Sequence, residues 1–415
     1  MIRSRDVFPL LLVVAASLLV IAGCGQQAAT PSVAPTKQTS APPSPAAVNR
    51  ADVVLGAAFP LTGVGASIGK REAVGAQVAV DQINAAGGIN GSKVKMVIMD
   101  TASNPQEAVN VVKKLASDEK VLAIIGPHYS SEAEVTFPLG NQLKIVQICV
   151  ASSKPGLSKA NRPFAFRNTV TENSVMDVVT KKLSAIGVKN VAIITDIKDA
   201  VSKSLGTDVI PTSVKAAGLN VLTGDNPITY QTGDTDFSAQ ITKLKALDPD
   251  AVGLGSLGFD ALSIIIEARR QGMTARFFGG SPMFEGQVEK KGGKDSEGTI
   301  AGSNWWPGMP SEANKKFIDA YTQRVGQMYP GFDPEPLYYS VNAYDGVNMI
   351  LEAVAKGGVT NKPEDLGPDR DRIREYLSKI KNFPGLGSKG FNEDGDGIKD
   401  IYALEIRNGT WAPVQ

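Results

Sequence analysis

From residue 52 onward the chain repeats one unit: a short apolar run, a polar loop, then an amphipathic stretch. Residues 52–59 read as a buried strand, and residues 70–86 as a helix with Ala73, Ala76, Val80 and Ile83 on one face. Residues 93–100 form the next strand. Asn104-Pro105 then opens a helix, with Asn as cap and Pro in the first turn, that turns Ala108, Val111, Val112 and Leu115 inward. Strands at 121–126 and 144–150 flank a helix beginning near Ser130, and the rhythm resumes with strands at 190–195, 219–224, 251–256 and 276–279. Short apolar strands divided by helices predict parallel sheets covered on both faces. About eight of them exceed one comfortable sheet of about six, so the expected fold is α/β with two doubly wound parallel-sheet lobes. Ligands in such folds sit beyond the carboxyl ends of strands. The loops to read are therefore 60–69, 127–131, 151–155, 196–202, 256–260 and 280–285.

Composition removes several functions. Lys and Arg number 43 against 42 Asp and Glu, with no long basic run, so no nucleic-acid partner is expected. Two Cys and one His leave too few ligands for a zinc site and exclude a disulfide scaffold. No cofactor is expected either.

The N-terminus sets the compartment. Arg3 and Arg5 precede an almost wholly apolar stretch from Val7 to Ile21, shorter than the ~20 residues of a membrane span and suited to a signal peptide. It ends in Leu19-Val20-Ile21-Ala22-Gly23-Cys24, which resembles a bacterial lipobox. That resemblance makes 1–23 a lipoprotein signal peptide and Cys24 the lipidated first residue of the mature chain. Removing Arg3, Arg5 and Asp6 leaves acidic and basic side chains equal in number. Residues 24–51, rich in Gln, Ala, Thr, Ser and Pro, cannot bury enough apolar area to fold and read as a disordered tether. The expected location is extracytoplasmic, anchored to the cell membrane by lipid.

Three motifs invite other readings. Gly65-Ala66-Ser67-Ile68-Gly69 matches the G-x-S-x-G pattern of serine hydrolases, but Ser67 follows the first strand only after Pro60-Leu61-Thr62-Gly63. Gly63-Val64-Gly65 with Gly69 is a near miss for a dinucleotide loop. Residues 392–397 begin like a calcium loop, yet position twelve would be Ala403, so a polar turn between two strands is the better reading. Cys149, on a buried strand, reads as a small core residue.

The run Phe59-Pro60-Leu61-Thr62-Gly63 with Gly69, then Gly75 and Asp81 through Gly91 (Asp-Gln-Ile-Asn-Ala-Ala-Gly-Gly-Ile-Asn-Gly), resembles the type I periplasmic binding proteins. It is most similar to the leucine/isoleucine/valine-binding family that feeds ABC importers. Residues 104–108, Ile125-Gly126 with Ser130-Ser131, residues 234–238 and Tyr344-Asp345-Gly346 extend the match across 52–415. The resemblance implies lobes joined by three crossovers: 52–170 with 305–385, and 171–304 with 386–415.

It also implies ligand contacts. Ser130, the first Ser after the third-strand glycine, would hold a ligand carboxylate, and Ala151-Ser152-Ser153 after the fourth strand would add backbone and hydroxyl contacts. Hydroxyls and helix-start amides suit an anion, although Ser130 and Ser153 could equally cap helices. His128 lies in the same loop as Ser130. The family's aromatics fall on Ile68, Val201 and Leu257, its ammonium-binding acid on Ser281, and its disulfide pair on Ser103 and Tyr129. Glu285 or Asp199 are the available substitutes for the missing acid. Trp305, Trp306 and Tyr339 are candidate aromatic walls, with a core role for at least one Trp as the alternative.

The expected function is therefore non-catalytic capture of a small carboxylate, either an aliphatic amino acid or an acid lacking the amine, by a monomer that passes it to ABC permease subunits. The alternatives are a ligand sensor acting through a receptor partner, and a serine hydrolase using Ser67.

Overall fold

A computed structural model describes residues 51–414; Cys24, the signal peptide and the tether up to residue 50 lie outside the described residues. Five parallel strands, β1 (Val53–Phe59), β2 (Val94–Asp100), β3 (Ile124–Ile125), β4 (Gln147–Cys149) and β5 (Ala165–Arg167), form one sheet in the order β2-β1-β3-β4-β5. A second sheet holds β6 (Asn190–Asp196), β7 (Asn220–Val221), β8 (Ile228–Tyr230), β9 (Ala251–Gly255), β10 (Arg276–Gly279), β11 (Ile300–Ser303), β12 (Tyr402–Arg407) and β13 (Thr410–Pro413). Its order is β13-β12-β11-β10-β9-β6-β7, with β8 also on β6. The β11–β12 and β12–β13 pairs are antiparallel and the other pairs in this sheet are parallel.

The helices are α1 (Ala66–Ala85), α2 (Pro105–Ser117), α3 (Ser130–Leu143), α4 (Leu157–Ala160), α5 (Glu172–Ala185), α6 (Ala200–Ser204), α7 (Ile210–Ala216), α8 (Ser238–Ala246), α9 (Gly258–Arg270), α10 (Val288–Lys291), α11 (Glu312–Met328), α12 (Tyr338–Lys356) and α13 (Leu366–Lys379). None is long and apolar enough to cross a membrane among the described residues. The α/β, largely parallel architecture is the expected one. Strand β10 spans the expected residues, whereas β3, β4 and β7 are shorter than their apolar runs. Strands β5, β8 and β11 are short and were not anticipated; the 392–397 turn was expected between two strands, but only the isolated Phe391–Gly397 bridge flanks it, and β12 and β13 both follow it.

Local chemistry explains the elements that position the site. Asn104 Oδ1 accepts the Gln106 and Glu107 amides at 2.8 and 3.1 Å, so α2 begins where its cap requires. Gly126 ends β3 at φ +107°, and a Cβ there would stand 2.2 Å from the Ala58 carbonyl oxygen. Only glycine lets the chain turn so close to β1. Cys149 is buried on β4, and burial pushes its thiol up to about 12, as expected of a core residue. The 392–397 turn is closed by the Asn392 amide on the Asp396 carbonyl oxygen. Its Asp396 carboxylate takes the Arg167 guanidinium at 2.8 and 2.6 Å, which is structural work.

Candidate functional site

The loops beyond β3, β4 and β10 meet the second turn of α1 around a single imidazole. His128 Nδ1 lies 2.5 Å from Glu72 Oε1, and Nε2 lies 3.3 Å from Glu285 Oε1. All three side chains are buried. Burial alone would lower the His128 pKa, but the Glu72 charge and the hydrogen bonds to both carboxylates outweigh it and raise it to about 10. Burial pushes both Glu72 and Glu285 upward, and the imidazolium opposes that shift. Both ring nitrogens of His128 thus face acids, and the pairing favours the imidazolium.

The cluster is not saturated. Glu72 Oε2, Glu285 Oε2 and the Tyr129 hydroxyl are buried without a protein partner. The two carboxylate oxygens are acceptors that are expensive to leave unsatisfied, whereas the Tyr129 O–H is itself a donor. Half-buried Asp199 adds a further negative charge felt by Glu285 and Tyr129, and its own carboxylate accepts the Ser202 amide at 2.9 Å.

On the other side of the site, Ser130 is the first residue of α3 and is buried. Its Oγ accepts only a long 3.4 Å bond from the Lys154 amide, so it does not cap the helix. Glu132 instead accepts the Tyr129 amide at 3.2 Å. Ser152 Oγ donates to the His128 carbonyl oxygen at 2.8 Å, tying the β3 and β4 loops together. Arg167 braces the same loop through the Ser152 carbonyl at 3.1 Å and the Lys154 carbonyl.

Ser281, where the family resemblance places an acid, is hydrogen-bonded to an acid from another element. Its amide donates to Glu172 Oε2 at 3.1 Å and its hydroxyl donates to Glu172 Oε1. Glu172 opens α5 and its amide bonds the Ser153 carbonyl oxygen at 3.1 Å. Burial raises its pKa against hydrogen bonds from Ser153 and Ser281. A hydroxyl at 281 therefore goes with a carboxylate supplied from a different element.

The remaining candidates divide. Tyr339 meets the His128 ring edge-on with centroids 5.8 Å apart. Ala151 and Ile68 share an apolar cluster with Tyr338 and Tyr339, although Ile68 lies in the first turn of α1 rather than in a loop. Val201 and Leu257 pack in the same cluster as Tyr129. Trp305 is a core residue: it packs edge-on to Phe317 and donates its indole N–H to Asn314 Oδ1 at 2.7 Å. Glu72 and Glu172 were missed. The available signal for Glu72 was a carboxylate at i−4 from Ala76 on the buried stripe of α1.

Ser67 has no base. Its carbonyl oxygen accepts Arg71 Nη1 at 3.1 Å, and both ring nitrogens of His128 face carboxylates. No group of His, Cys, Asp and Glu among the described residues is placed to hold a metal ion.

Comparison with known proteins gives the family. The family model for periplasmic binding proteins matches residues 52–410. A Leu/Ile/Val-binding protein homolog from Brucella abortus is 30% identical over 351 residues, covering 81% of this chain and 88% of the relative. An amino acid binding protein from Pseudomonas aeruginosa is 29% identical over 355 residues, 83% and 87% of the two chains. The branched-chain amino acid transporter substrate-binding protein LivJ from Streptococcus pneumoniae, solved with isoleucine, superposes with a TM-score of 0.75 at 27% identity, covering 87% and 97%. The function of these proteins is binding, not catalysis. By family match, identity and fold, the chain belongs to the type I periplasmic binding proteins, in the leucine/isoleucine/valine-binding family.

Proposed function

We propose that this chain is the solute-capture subunit of an ABC importer and that its ligand is a zwitterionic amino acid with an apolar side chain. Ser130, the amides opening α3 and the Ala151–Ser153 loop receive the carboxylate, and Glu285 receives the ammonium. The observation carrying this reading is the buried, unpartnered Glu285 Oε2 beside the equally unpartnered Glu72 Oε2 and Tyr129 hydroxyl. An ammonium supplies the donors that the two carboxylate oxygens lack, whereas an acid without the amine leaves them bare. Ile68, Ala151, Val201, Leu257 and Tyr339 provide the apolar surroundings.

Capture requires the two lobes, 52–170 with 305–385 and 171–304 with 386–415, to close on a ligand that touches both and so favours the closed state. Lipidation at Cys24, after removal of 1–23, would hold the monomer outside the cytoplasmic membrane on the 24–51 tether, within reach of its permease subunits.

Calorimetric titration with leucine, valine and 4-methylpentanoate tests the ligand class. Leucine or valine should bind in the micromolar range, about −8 kcal/mol, and 4-methylpentanoate at least ~10-fold more weakly. Glu285→Gln should abolish that preference. Equal binding of the deaminated acid would overturn the assignment.

A further inference from the structure

All three tryptophans of the chain, Trp305, Trp306 and Trp411, line one cavity of about 350 Å³. Phe284 and Tyr338 complete its aromatic wall, and Phe284 stands 4.6 Å from the Trp411 ring and 5.7 Å from Tyr338 between centroids. The volume lies within the range of small-molecule sites, roughly 300–1,000 Å³. Neither His128, Ser130, the Ala151–Ser153 loop nor Glu285 lines it. Tyr338 packs edge-on against Tyr339, which in turn packs edge-on against His128, so the Tyr339 ring stands between the cavity wall and the His128 cluster.

The charge in this wall is negative. Glu289, buried on α10, accepts the Trp411 indole N–H at 3.1 Å, and burial pushes its carboxyl upward in spite of that bond. Glu335 lies at the same cavity. The one base there, Lys290, is already engaged by Asp333 at 3.0 Å and by Glu335. What remains is the Glu289 carboxyl, held on the Trp411 indole N–H, among five aromatic side chains, a setting suited to an organic cation.

We propose that this cavity is a second small-molecule site, separate from the amino-acid cleft, that takes an organic ammonium with an apolar or aromatic body. Its walls come from the 305–308 and 335–338 segments, α10 and β13, so an occupant touches both the element carrying Lys290 and the N-terminus of α12. The assignment does not depend on what the cleft binds.

Because every tryptophan lines the cavity, intrinsic emission reports its occupancy directly. The mature chain is titrated with phenethylammonium and, in parallel, with 2-phenylethanol, its uncharged counterpart. Phenethylammonium should change the emission saturably, at least ~10-fold more tightly than the alcohol, as a desolvated cation–aromatic contact provides. Glu289→Gln should remove most of that preference, and Trp306→Ala, at a half-buried position, should weaken binding while circular dichroism confirms the fold. Ser130→Ala and Glu285→Gln should leave the titration unchanged, whatever they do to leucine binding. Equal response to the alcohol, no saturable change, or loss of the response in the cleft variants would each overturn the proposal.

Discussion

Glu285 Oε1 stands 3.3 Å from His128 Nε2, across a sequence separation of 157 residues. The contact joins the loop after β10 of one sheet to the loop after β3 of the other. It places a carboxylate four residues beyond the position where the family pattern puts one, and it leaves that carboxylate's second oxygen open.

The two serines beside this contact should behave differently. Ser130 Oγ has only one long internal bond, so Ser130→Ala should weaken leucine binding by roughly 1–3 kcal/mol with little change in stability. Ser152 Oγ is spent on the His128 carbonyl oxygen, so Ser152→Ala should lower stability by about 1 kcal/mol. Calorimetry and denaturant unfolding on both variants separate the roles; an unchanged affinity in Ser130→Ala removes the carboxylate assignment.

The His128 cluster sets a pH dependence. Folding raises the imidazole from its ordinary 6.5 to about 10, so the native state holds the proton more tightly than the unfolded chain. Its contribution is complete below about pH 6.5 and is lost as the pH rises toward 10. His128→Gln strands two buried carboxylates and should cost about 3–5 kcal/mol at pH 6. The stability gap between the wild type and this variant should narrow steadily from pH 6.5 to 10. A constant gap means the imidazole is neutral in the folded protein.

Asp333 links three segments. Its carboxylate meets Arg71 of α1 at 2.7 Å, Gln287 at 2.6 Å and Lys290 of α10 at 3.0 Å. Burial raises its pKa, but Lys290, the Glu335 amide and Arg71 together bring it below the ordinary carboxylate range. Its contribution is therefore present above about pH 3.8 and lost as the pH falls through the lower, folded value. Asp333→Asn should cost about 1–3 kcal/mol at pH 7 and less under acid conditions, read by urea unfolding at each pH.

Helix α1 crosses α12 at a glycine. A Cβ on Gly75 would lie 2.1 Å from the Ser340 carbonyl oxygen, so the two backbones can approach only without a side chain there. Gly75→Ala should destabilise by about 1–3 kcal/mol despite alanine's better helix propensity. Gly87→Ala, by contrast, meets no neighbouring atom and bears only the strain of its positive φ. Thermal unfolding of the first variant at the wild-type midpoint would show that α1 and α12 do not pack as described.

The strand–helix alternation, the Asn104 cap of α2, the start of α3 at Ser130 and the family motifs were legible along the chain because each depends on residues a few positions apart. Periodicity, capping and turn chemistry act over that range. The edge of the second sheet was not legible: β12 and β13 pair next to β11 only after the 304–401 segment has run through α11, α12 and α13 and returned. Glu72 and Glu172 sit in ordinary amphipathic helices and look like surface carboxylates until packing buries them. Whether an acid in sequence becomes a buried, open acceptor depends on which distant groups arrive beside it. For Glu285 that arrival is His128; for Glu172 it is Ser281, which had pointed to a missing acid. The sequence determined the architecture and the loops that carry the site, since those follow from local pattern. Tertiary structure alone decided the charge inside it, because desolvation and pairing are properties of neighbours in space.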